Sequence, residues 1–131
     1  RQMVHETVRQ LLAAVRPGGA AIVHVLNLGR LPDGPCRWQV IKRATVSGRE
    51  LLLVKGVHRS GSRGFVDLVV VPTAGEGSPH TDSAPILGID AEQLRRMAQD
   101  AGATTVSLYG DYQRSPFDKG ESPDIIMVAY R

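Results

Sequence analysis

The side chains best suited to hold a ligand gather late in the 131-residue chain, at Tyr109, Gly110, Asp111, Tyr112, Arg114, Phe117 and Asp118. Aromatic faces and hydrogen-bonding groups on a turn-rich backbone can line a binding site. A polar loop of this length between two extended runs is commonly functional. An ordered surface loop without a ligand is the rival reading. Elsewhere the chemistry is sparse. His58 has Ser60 and Ser62 nearby but no acidic third partner at a readable spacing, so a hydrolase triad is not expected. No two histidines stand at i, i+4, and Cys36 is the only cysteine. Neither a metal site nor an internal disulfide is therefore expected. His5 and His80 read as solvated surface.

The elements that must position these groups are well marked. Asp90 is placed as an N-cap, Gln93 completes a capping box, and Ile89 with Leu94 occupies the positions of a hydrophobic staple. Leu94, Met97, Ala98 and Ala101 share one helical face, and Gly102 is placed to end the helix. Residues 104–109 read as a strand, and 124–130, with its continuous apolar run, reads as a strand covered on both faces. At the other end, Val4, Val8, Leu11, Leu12 and Val15 mark an amphipathic helix stopped by Pro17-Gly18-Gly19. The apolar run 20–26 then lacks alternation, which predicts a buried parallel strand and not the edge of a sandwich, although this chain alone would expose that strand's edge. Residues 37–71 differ in pattern. Three strand-like runs, with a hairpin turn at Ser47-Gly48, predict an antiparallel meander there. Residues 73–85 read as a polar, flexible connection.

One domain with a real core fits this length, and two do not. The net charge of +3 comes from interspersed charges without a Lys/Arg run, so nucleic-acid binding is not indicated. No apolar run approaches a membrane span, the start has no signal-peptide pattern, and a single cysteine suits a reducing, cytoplasmic setting. The chain opens on Arg1 inside a helical pattern, which predicts a piece of a longer polypeptide.

Taken in order, the pieces resemble the C-terminal half of a class I S-adenosylmethionine-dependent methyltransferase of the small-molecule type. Leu12 to Gly19 before an apolar strand is similar to the Pro-Gly-Gly turn before that family's fifth strand. Leu94 to Gly102 before a strand is similar to its last helix, although Ala103 stands where a Phe is common. Tyr109-Gly110-Asp111, Pro116-Phe117-Asp118, Ser122 and Asp124 to Ala129 resemble its final antiparallel hairpin. The resemblance covers essentially the whole chain. It implies an α/β fold, the C-terminal portion of a Rossmann-like sheet. Residues 1–28 would be a helix plus parallel strand, 29–88 an antiparallel lid insert with linker, and 89–131 the last helix and terminal hairpin.

The resemblance also assigns candidate roles. S-adenosylmethionine would be the cofactor, bound mostly by residues absent from this chain, because no Gly-rich turn follows a strand and opens a helix here. Asn27, just after the first strand, would face the site and either bind cofactor or substrate or cap its own loop. His24, mid-strand, is a base or a satisfied core histidine. In the lid, Trp38 could stack on a planar substrate, Arg43 could contact it, and His58 could serve as base; the rival readings are rim packing and a solvated turn. Tyr109, Asp111, Tyr112 and Phe117 are the preferred substrate contacts. The implied partners are a small-molecule substrate and either the missing N-terminal half or another chain, a second copy included, covering the first strand's edge. Two other classes stay open: a non-catalytic methyltransferase-like pairing module, and, last, a basic nucleic-acid-binding domain.

Overall fold

The computed structural model describes residues 2–74 and 77–131. Arg1, and Gly75 and Glu76 within the expected 73–85 connection, lie outside the described residues. The chain forms two compact units: Arg1–Arg30 with Ile89–Arg131, and the continuous segment Leu31–Gly88 between them.

The first unit contains α1 (Gln2–Ala14), β1 (Ala20–Leu26), a single 3-10 turn (Leu28–Arg30), α2 (Ala91–Asp100), β6 (Thr105–Tyr109) and β7 (Asp124–Tyr130). Its sheet runs β1-β7-β6, with both pairings antiparallel. β7 is central: Ile125, Met127 and Ala129 on one face are at most 1% exposed and Ile126 on the other is 4% exposed, so burial on both faces accounts for its unbroken apolar sequence. Both helices pack on the first of these faces. Val8 and Leu12 of α1 meet Leu94 and Ala98 of α2 in one core with Ile89. The expected capping box is present: the Asp90 carboxylate accepts from the Gln93 backbone N–H at 2.7 Å, and the Gln93 side chain accepts from the Asp90 N–H. At the other end Gly102 turns left-handed (φ 91°), with Ala103 N–H donating to Ala98 and Gly102 N–H to Gln99, a Schellman closure. The free carbonyls of α1 are served from afar, since the Arg131 guanidinium donates to Ala13 and Val15 carbonyls, each at 2.7 Å.

β1 corrects the sequence reading. Its partner is antiparallel β7, and every second residue faces outward, with Ile22 63% exposed; its other edge is open among the described residues, as expected of this chain by itself. An unbroken apolar run signals two faces suited to burial, but it does not say which chain provides the cover. Leu11, expected on the buried stripe of α1, is likewise exposed.

The second unit is one antiparallel sheet in the order β2-β3-β4-β5, formed by β2 (Arg37–Val46), β3 (Arg49–Ser60), β4 (Arg63–Pro72) and β5 (His80–Ile86). The β2–β3 hairpin turns on Ser47 and Gly48, both at positive φ (51° and 75°) as a tight two-residue turn requires. β2 carries a register shift between Gln39 and Lys42. β5 is the second correction: part of the expected flexible connection is a strand paired with β4 along its length. Its sequence HTDSAPI has no apolar alternation because nearly the whole strand is exposed, and it carries Pro85, which an edge strand tolerates.

Candidate functional site

The meander sheet assembles chemistry that its sequence spacing hides. Register places Trp38, Gly56, Asp67 and Ser83 in one row across all four strands. In the neighbouring row His58 stands opposite Phe65, so His58 and Asp67 are diagonal neighbours on one face. The His58 Nδ1 lies 2.7 Å from Asp67 Oδ2, and the Phe65 ring stacks on the imidazole at 4.9 Å and 14°. The carboxylate thus fixes the tautomer and the phenyl ring fixes the plane. Nδ1 donates its proton to Asp67, leaving the Nε2 lone pair free to accept one. Asp67 also accepts from the Cys36 thiol at 3.3 Å. Hydrogen bonds from Ser83, then from Cys36 and His58, hold the Asp67 carboxyl below its usual range. Partial burial, followed by the hydrogen bond to Asp67, raises Cys36, so the sulfur stays a thiol. Cys36 enters the cluster because Gly56 is bare: a Cβ there would collide with the sulfur and with the Trp38 ring. A pocket of about 350 Å³ opens beside the row, lined by Trp38, Asp67, Leu68, Asp82 and Ser83 among others. Trp38 is exposed, with its indole available at the pocket rim.

A second polar chain lies in the other unit, on the outer face of β1. The Tyr112 hydroxyl is 2.9 Å from His24 Nδ1, and His24 Nε2 is 3.0 Å from Asp124 Oδ1. His24 is satisfied, as one sequence reading has it, but at the surface and not in the core: its side chain is 40% exposed. Tyr109 shares the row, since both His24 and Tyr109 pair with Ile126. The Tyr112–His24–Asp124 chain ties the 110–123 loop to β1.

The remaining expected site residues are placed otherwise. Phe117 packs against the hydrophobic core of its unit, so it anchors the loop and does not present itself to a ligand. Asp111 accepts from the Ser115 N–H at 3.0 Å, and its bonds to Ser115 lower its carboxyl below the usual range; it folds the loop. Arg43 lies beyond the β2 register shift beside a separate small cavity of about 110 Å³ with Glu50 and Thr73, and does not join the Trp38 row. Asn27 is 3% exposed and fully engaged. Its amide donates to the Lys119 and Ser122 carbonyls at 2.9 and 2.8 Å, and its oxygen accepts from the Gly29 N–H. Asn27 thus caps its own turn at Gly29 and ties that turn to the 119–122 segment. Sequence reasoning missed Asp67, Cys36 and Asp124. Only the hairpin turn at Gly61, which fixes the register, could have paired His58 with Asp67.

No family model and no curated protein matches the sequence. Solved structures do match its fold. The amino pentose methyltransferase of calicheamicin biosynthesis from Micromonospora echinaspora, with S-adenosylmethionine bound, superposes over 99% of this chain with a TM-score of 0.72 at 13% identity. The sugar N-methyltransferase of a Streptoalloteichus species gives 0.69 over 99% at 14% identity, and the CcbJ methyltransferase of Streptomyces caelestis 0.66 over 96% at 19%. This is the fold of half a methyltransferase. The chain spans 50–52% of the length of those three proteins. A cofactor fit can be tested on the residues present. Asn27, the one expected to reach S-adenosylmethionine, has its polar atoms engaged by Gly29 in its own turn and by Lys119 and Ser122 in the 110–123 loop. No glycine-rich turn leads from a strand into a helix among the described residues. Asn27 therefore has no free polar atom to offer that cofactor. Nor is any helix among the described residues long and apolar enough to cross a membrane.

Proposed function

We propose that this chain is the acceptor-side half of an S-adenosylmethionine-dependent small-molecule methyltransferase, with the cofactor held mostly by polypeptide outside these residues. The observation that carries the reading is the fold match, which runs through both units and takes in 96–99% of the chain. The four-stranded sheet would act as a lid over the acceptor. Its own chemistry suits an amine: Asp67, held below its usual range, offers a carboxylate, and the Trp38 indole offers a π face to a cation at the same pocket. Two of the matched proteins are described as an amino pentose and a sugar N-methyltransferase, which agrees with that class. An ammonium must lose a proton before its nitrogen can accept a methyl group. His58 Nε2, with Nδ1 tied to Asp67, is the acceptor for that proton. S-adenosylmethionine, when bound, supplies the methyl group; this chain binds the acceptor, orients it and excludes water.

The test is calorimetric titration of S-adenosylhomocysteine into this chain alone and into the same chain joined to a cofactor-binding half, followed by methyl transfer to amine-bearing sugars. Binding and transfer only in the joined form support the reading. No binding in either form sinks it and leaves a non-catalytic pairing module.

A further inference from the structure

Cys36, His58 and Asp67 bring a sulfur, an imidazole nitrogen and a carboxylate oxygen within 4.8 Å of one another, each partly buried. The three come from the approach to β2, from β3 and from β4, so their backbones are fixed by a hydrogen-bonded sheet. Among the described residues no lysine or arginine pairs with Asp67, whose partners are Ser83, Cys36 and His58. From these observations we propose that the trio is a binding site for a thiophilic divalent cation of the zinc type.

The donor set suits such an ion: thiolate and imidazole select borderline-soft metals, and the carboxylate supplies charge. Bond lengths of about 2.0–2.3 Å place tetrahedral donors roughly 3.3–3.6 Å apart. The sulfur lies 3.3 Å from Asp67 Oδ2, the imidazole nitrogen 2.7 Å from it, and all three donors lie within 4.8 Å of one another, so seating an ion requires the His58 ring to move off the carboxylate and the trio to close around the ion. The pocket beside Asp67 leaves room for water at the fourth position. Protons balance simply. Cys36 gives up its thiol proton, and His58 moves its proton from Nδ1 to Nε2, so about one proton leaves per ion bound. While bound, the ion holds the nitrogen that otherwise donates to Asp67; occupancy and the base role of His58 are alternatives.

Cobalt(II) titration of the full chain tests the site without reference to methyl transfer. One equivalent should produce a thiolate-to-cobalt charge-transfer band, which zinc then abolishes. Cys36→Ser should remove the band, and His58→Gln and Asp67→Asn should each weaken binding at least tenfold, with metal-free circular dichroism as the control for folding. Because Cys36 is the only cysteine, the unaltered chain gives a second readout: saturating zinc should slow its alkylation at least tenfold. The absence of the band, or an alkylation rate indifferent to zinc, overturns the proposal.

Discussion

At the scale of single residues, the His58–Asp67 pair makes the sharpest claim. With the cofactor-binding half supplied, His58→Ala should lower kcat by about 10²–10⁴, the usual yield of a positioned base. His24→Ala, in the other unit, should leave the rate within severalfold; a larger loss at His24 would move the base to the Tyr112 chain. Gly56→Ala puts a methyl group where Cys36 and Trp38 now sit, and overpacking of this kind costs about 1–3 kcal/mol, measurable by denaturant unfolding. Protonation sets an acid limit. Bonds to Arg9 and then Gln10 lower Glu6 from 4.5 to about 2. The stability it lends α1 is present above its unfolded value and lost as pH falls toward 2, so the Glu6→Gln variant and the parent should converge in Tm at that end. His58 and Trp38 were legible as candidates, but their meeting with Asp67 and Cys36 was not. His58 and Asp67 are nine residues apart, a spacing that means nothing until the turn at Gly61 sets Ser60 against Arg63. Cys36 carries no signal as a lone thiol.

At the scale of elements, legibility followed local physics. The capping box of α2, its left-handed stop at Gly102 and the Ser47-Gly48 hairpin were all readable because each is decided by a few adjacent residues. Removing one such device should have a local cost: Asp90→Ala should destabilise the chain by about 1 kcal/mol in chemical denaturation. β5 was not readable, since an exposed edge strand is held by backbone pairing with β4 and needs no apolar pattern. For β1 the apolar content and the open edge were readable, whereas its antiparallel partner and exposed outer face were not. Hydrophobicity reports what a strand could bury, and the observed edge is set by which strands are present.

At the scale of the whole molecule, the open edge and outer face of β1 are the exposed liability of the first unit. Ile22 and Leu26 face outward there beside an unpaired ladder. We expect the chain to self-associate with rising concentration in sedimentation, and Ile22→Lys to reduce this while changing stability by no more than about 0.5 kcal/mol. Unchanged association in that variant would place the contact elsewhere. The α/β fold class was legible from element order.

The Asn27 hydrogen bonds to Lys119 and Ser122 join residues more than 90 positions apart, as does the pairing of β1 with β7. The first unit therefore cannot close during synthesis until nearly the entire chain has emerged. The meander, all hairpins, has no such wait, and once formed it shortens the loop whose ends must meet. Folding should thus run from the middle of the chain outward. A substitution that weakens the meander should slow consolidation of the helix-covered sheet, even though it touches none of that sheet's residues.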